Sequence, residues 1–169
     1  MTERYTFAEI NELTADRIIE LGGKPINLYR ILANQPEMLD AWLEFAYSIR
    51  FLAKTARPLR ELMILRTAQL QNSAYEWYQH RKMATAAGVD EHQVAELPMW
   101  RSSNAFSAKE KAALSLTEAI VQGQVSDDIH AEAAQHFTQA EMIELVMTAS
   151  FYSMVPRVLS ALAVKIEGR

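Results

Sequence analysis

Apolar side chains recur along this chain at three- and four-residue intervals, and no segment alternates in the two-residue rhythm of a half-buried strand. The pattern predicts an all-helical fold, with the scarce glycines and prolines falling where helices begin or end. Thr6 caps a first helix running through Leu21, with Gly22 and Gly23 as its stop, and Pro25 opens a short helix from Ile26 to about Ala33. Pro36 starts PEMLDAWLEFAYSIRFLAK, whose Leu39, Leu43, Ala46, Tyr47 and Ile49 to Leu52 keep the helical spacing. Pro58 opens PLRELMILRTAQLQ, ending near Gln71, and Ser73 with Glu76 forms a capping-box pattern for a helix through Ala87 with Gly88 as its left-handed stop. After a short helix over 90–97 comes a loop, Pro98 to Ser107. Ser107 with Glu110, Ser126, and Thr138 with Glu141 then cap three more helices, the last interrupted or kinked at Pro156.

Composition narrows the function classes. A chain of 169 residues with 50% apolar content buries a core of its own without disulfides or a structural metal. It has no cysteine, which removes thiolate metal sites and any cysteine nucleophile, and with them thiol-based peroxide reduction by this chain. A formal charge of −4 and no local cluster of Lys and Arg make nucleic acid an unsuitable partner. The run Ala140 to Val164 is long enough to span a bilayer. It carries Glu141, Glu144, Arg157 and Pro156, so it reads as a buried or subunit-facing helix with no membrane partner. The charged segment MTERYTFAEINELTADR has no signal-peptide character, and a cytoplasmic protein is expected. The final residues, 166–169, spell IEGR, a protease site often added to expressed proteins, and nothing is drawn from them.

The stretch NSAYEWYQH, residues 72–80, carries the candidate chemistry. Glu76 and His80 are four apart and share a helix face, with Ser73 one turn earlier. Two readings stand at this point. Glu76 is the acid of a capping box, His80 its helical partner and Glu61 a favourable first-turn acid, or the three converge for proton handling. His130 and His136 are six apart, which is not a facial ligand spacing, and His92 has no chemical partner, so no metal is expected.

From Pro36 to about Val164 the chain resembles the carboxymuconolactone decarboxylase and alkyl hydroperoxidase D superfamily. In the hydroperoxidase branch a Glu is followed by eleven residues, a Cys, two residues, a second Cys, three residues and a His. The same spacing here reads Glu61, Ser73, Glu76, His80, with both cysteine positions replaced. Tyr75, Glu76, Trp77 and His80 are similar to a stretch common in the decarboxylase branch, so the resemblance is to the cysteine-free, decarboxylase-like side. It implies a compact multi-helix fold over residues 36–165, preceded by a helical extension over 1–35, and self-association as a trimer or hexamer.

The resemblance also implies a site. Glu in the first turn of a helix keeps an anion in the positive field that elsewhere favours a thiolate, and it brings no electron-transfer chemistry. Decarboxylation needs a cation to orient the substrate carboxylate, an electron sink and an acid to protonate carbon. A lactone supplies its own sink, so no cofactor is required. The catalytic candidates are His80 as proton donor or relay, with Glu76 and Glu61 orienting and tuning it. Candidates for substrate binding are Arg66 and Arg157 as the carboxylate clamp, together with Tyr75, Ser73 and Trp77. Trp77 and the two arginines also fit ordinary packing and ion-pair roles. The expected substrate is a small carboxylated, ring-derived molecule. The alternative is a non-catalytic oligomeric protein that binds a small molecule or a partner on the same scaffold.

Overall fold

The computed structural model describes residues 4–20 and 23–168, and among them there is no strand. The helices are α1 Glu12–Glu20, α2 Asn27–Leu32, α3 Pro36–Tyr47, α4 Arg57–Leu70, α5 Ala74–Ala87, α6 Glu91–Glu96, α7 Ala108–Gln122, α8 Asp127–Ala134 and α9 Gln139–Ala161. They fall into two compact units, residues 1–53 with 157–169, and residues 54–156.

In the first unit α1 starts later than the sequence pattern suggests. Residues 6–11 are extended, Ala8 N–H donates to Arg30 O at 2.9 Å, and the Asn11 side chain accepts from Thr14 N–H at 2.9 Å. Asn11, not Thr6, therefore caps the helix, because the preceding backbone is engaged with α2. The expected stop at Leu21 and Gly22 lies outside the described residues. The helix opened by Pro36 gives way at Ser48–Leu52 to one π-helical turn, closed by Ala53 N–H on Ser48 O at 3.2 Å. Ile18, Ala33, Leu39 and Leu43 form the small core of this unit.

The second unit is organised around α4, which is buried from Leu59 to Leu65 and again at Thr67 and Ala68. Leu59 and Met63 pack with Ala113 and Leu116 of α7, Ala133 of α8, and Met142, Leu145 and Ala149 of α9. Leu62 and Leu65 pack on another side with Ala84 of α5, Leu97, Trp100, Phe106 and Leu114. A helix enclosed in this way is normally apolar all round. This one carries Arg60 and Glu61 inside it, at 3% and 0% exposure.

Sequence signals set the borders of the surrounding helices. Ser73 and Gly88 (φ 97°) bound α5, and the Ser107–Glu110 capping box and Gly123 (φ 73°) bound α7. Thr138 and Glu141 close another reciprocal cap at the start of α9, with Glu141 Oε2 2.8 Å from Thr138 N and Thr138 Oγ1 3.3 Å from Glu141 N. The expected break at Pro156 is absent. The helix runs on to Ala161, so the missing proline N–H costs a rung of the ladder without ending it. α9 is long and apolar enough to cross a membrane by composition, and 56% of its most apolar window is buried within the protein. The Pro98–Ser107 connection is pinned at Trp100, whose indole N–H donates to Glu118 at 2.8 Å.

Replacing Leu65, fully buried on α4, by alanine is expected to lower the unfolding free energy by about 2–5 kcal/mol in urea denaturation, with helical content retained. A loss well below about 1 kcal/mol would contradict the central position of this helix.

Candidate functional site

α4 and α5 are consecutive and pack against each other, so Glu61 on the second turn of α4 faces the side chains that α5 turns inward. Glu61 Oε2 lies 2.8 Å from His80 Nδ1, and Glu76 Oε2 lies 3.7 Å from His80 Nε2. The three side chains are buried, at 0%, 5% and 6% exposure for Glu61, Glu76 and His80. Arg57, one turn before Glu61, places its guanidinium on Glu61 Oε1. The Tyr152 ring of α9 meets the His80 ring edge-on, with centroids 4.8 Å apart and planes at 85°.

The cap at the head of α5 shows why Glu76 turns inward. Ser73 Oγ accepts from Glu76 N–H at 3.3 Å, the first half of a capping box. In the boxes at Ser107 and Thr138 the acid returns to the cap's own N–H, but the Ser73 N–H already donates to Ala68 O at 2.9 Å. The amide that would hold the Glu76 carboxyl is taken by the α4–α5 turn. Glu76 Oε2 ends buried beside His80 without a hydrogen-bond partner among the described residues.

Electrostatics separate the two carboxyls. Burial alone would raise the Glu61 carboxyl, but the hydrogen bond and charge of His80, followed by Arg57, outweigh it and hold Glu61 below the ordinary carboxylate range. For Glu76 burial dominates. His80 opposes it, the Glu61 anion adds to it, and the Glu76 carboxyl is raised. One imidazole thus sits between an acid that favours its ionised form and an acid that favours its protonated form.

Arg66 is committed to Glu118, with Nε 2.7 Å from Oε1, and to Gln69 at 2.9 Å. Glu118 also accepts from Trp100, and from Arg101 at 2.6 Å. Arg66, Ser73 and Trp77 do share a feature, an open surface cavity of about 510 Å³ that Gln69, Asn72 and Pro98 also line. Trp77 is half-buried and packs against the core beside α4, so it serves as core and as cavity wall. Tyr75 is buried at 6% exposure. Arg157 is exposed on α9 and belongs to the unit of residues 157–169 and 1–53. Among the described residues no group of three or more His, Cys, Asp or Glu side chains could hold a metal ion.

Two neighbours of the trio were missed from sequence. Arg57 was detectable as the residue four before Glu61, but placing the helix start at Pro58 left it outside. Tyr152 comes from α9, and no local spacing connects it to His80.

The Carboxymuconolactone decarboxylase family model matches residues 36–119, which contain Arg57, Glu61, Glu76 and His80. Over these residues the chain is similar to the carboxymuconolactone decarboxylase family. An uncharacterized protein of Bacillus subtilis (strain 168), YdfG, is 29% identical over 94 residues, 54% of this chain and 64% of that one, so the match spans less than two thirds of the relative. Among solved structures, the debrominase Bmp8 in complex with 2,3,4-tribromopyrrole is similar with a TM-score of 0.87 at 16% identity, covering 99% of this chain and 94% of that one. An uncharacterized peroxidase-related protein with an alkylhydroperoxidase AhpD core, from Ralstonia eutropha JMP134, is similar with a TM-score of 0.83 at 14% identity, covering 98% and 92%. At these identities the structures establish a shared fold.

The divided carboxyls predict opposite effects of pH on stability. The folded state binds the Glu76 proton more tightly than the unfolded state does, so Glu76 lowers stability as pH rises above the unfolded value near 4.5. Glu61 contributes stability above that value, and the contribution is lost as pH falls through its lower folded value. Denaturation midpoints of Glu76→Gln should therefore exceed wild type at pH 7 and converge with it toward pH 4. Those of Glu61→Gln should fall below wild type at pH 7 and converge only at lower pH. Parallel curves for the two variants would refute the division.

Proposed function

We propose that this protein is a cofactor-free enzyme that moves protons on a small, ring-derived carboxylated molecule, by decarboxylation or related lactone chemistry. The observation carrying the reading is His80 held between Glu61 and a buried Glu76 whose Oε2 has no hydrogen-bond partner among the described residues, the first carboxyl lowered and the second raised from the ordinary value. Such a pair of separated carboxyls is a general way to divide acid and base roles.

With Glu61 ionised, His80 Nδ1–H donates to it and Nε2 faces Glu76. The 3.7 Å between Nε2 and Glu76 Oε2 is too long for a direct hydrogen bond. In the proposed reaction one oxygen of water or substrate bridges them from the side, at about 2.8 Å from each atom. In a decarboxylation the bond from ring carbon to carboxylate breaks, carbon dioxide leaves, and the electron pair moves into the conjugated lactone carbonyl. Glu76 passes its proton through the bridging oxygen to His80 Nε2, His80 delivers it to the carbon, and Glu76 regains a proton from solvent, so one proton is consumed for each carbon dioxide released. Arg57 and Glu61 hold the imidazole orientation throughout. Thiol-based peroxide reduction is unavailable to a chain without cysteine.

The family match supports the reaction class, and the similar debrominase, bound to tribromopyrrole, supports a five-membered ring as the substrate body. Self-association as a trimer or hexamer forms part of the proposal and rests on the family resemblance. A second reading, a non-catalytic small-molecule-binding protein, is favoured by the cavity beside Trp77 and Arg66, which the trio does not line.

The deciding experiment measures carbon dioxide release from 4-carboxymuconolactone and related lactone acids. His80→Ala is expected to lower turnover by about 10²–10⁴-fold with unchanged helical circular dichroism. Turnover that survives the substitution rules out the relay, and the binding reading then takes its place.

A further inference from the structure

The proton-transfer reading needs a cation for the substrate carboxylate, and that cation can be found by accounting for the arginines of residues 54–156. There are five, Arg57, Arg60, Arg66, Arg81 and Arg101. Arg66 and Arg101 converge on Glu118. Arg81 pairs with Glu91 at the foot of α5. Arg60 is 3% exposed and donates to the backbone and side-chain oxygens of Thr55, inside the fold. Arg57 pairs directly with Glu61, and its side chain is 25% exposed where that of Glu61 is 0%. It therefore meets the buried trio on one side and solvent on the other.

We propose that Arg57 is the residue that recognises the substrate carboxylate, a role that rests on the proton-transfer reading of the same site. A guanidinium carries five N–H donors in a rigid fork, enough to hold the Glu61 carboxylate and a ligand carboxylate together. Glu61 fixes the fork from below, so the recognition element is oriented before a ligand arrives and less freedom is lost on binding. Because Glu61 joins Arg57 to His80, an acid seated on Arg57 has its ring directed at the imidazole. A site of this kind selects acids over neutral analogues of the same shape.

The test uses the full chain and two five-membered-ring probes, 2-furoate and its uncharged counterpart 2-furamide, titrated by calorimetry. Wild type is expected to bind the acid more tightly than the amide. Arg57→Gln should weaken the acid by about tenfold and leave the amide nearly unchanged, and Arg57→Lys should restore part of the preference. A guanidinium serving only as the Glu61 counter-ion would alter both probes alike in Arg57→Gln. That result, an absent preference in wild type, or a preference that survives Arg57→Gln overturns the assignment. The relay is judged separately, by turnover of His80→Ala. Turnover that survives His80→Ala, combined with a preference lost in Arg57→Gln, would remove the relay and keep the clamp.

Discussion

A carboxylate with no solvent exposure on the innermost helix is the constraint from which the site follows. Removing an ionised carboxyl from water costs several kcal/mol unless charge and hydrogen bonds compensate it. Glu61 receives both, from His80 on Oε2 and Arg57 on Oε1. Each partner restricts a helix. His80 requires α5 to present its inner face at one register against α4, and Arg57 requires the helical conformation of α4 to begin at or before that residue. The α4–α5 turn, with Asn72 in the left-handed region at φ 52° and Ser73 capping the next helix, joins the two at that register.

Glu76 is the costly member. It occupies the first turn of α5, where the helix field favours an anion, yet its burial and the nearby Glu61 anion favour the protonated acid. Burial prevails because the carboxyl turns away from the cap toward His80, where its Oε2 has no hydrogen bond to offset desolvation. A group held against its own solvation in this way is an expense that packing alone does not explain. Stored protonation beside an imidazole is a function that would retain it.

Much of the fold could be read directly from the sequence. The borders of α4, α5, α7 and α9 follow from Pro58, Ser73, Gly88, Ser107, Gly123 and Thr138, each of which acts within a few residues. The start of α1 was not legible, since Asn11 prevails over Thr6 only because residues near Ala8 hydrogen-bond to α2. The π turn at Ser48–Leu52 was hidden as well. The apolar run there continues the helical period, although Phe51 and Leu52 finish at 49% and 63% exposure. At the site, the family spacing found Glu61, Glu76 and His80, but the capping-box pattern alone would have left Glu76 in solvent. That it turns inward depends on the Ser73 amide being occupied by Ala68. Arg66 looked suitable on the helix of Glu61 until Glu118, fifty-two residues later, was seen to hold it.

The site rests on two buried carboxyls, on either side of one imidazole, whose proton affinities are moved in opposite directions. Carbon-13 NMR of the side-chain carboxyls of Glu61 and Glu76, followed across a pH titration with single-site variants for assignment, measures this directly. Glu61 is expected to titrate below the ordinary value of 4.5 and Glu76 above it. Two carboxyls titrating together in the ordinary range, or Glu76 ionising before Glu61, would contradict it.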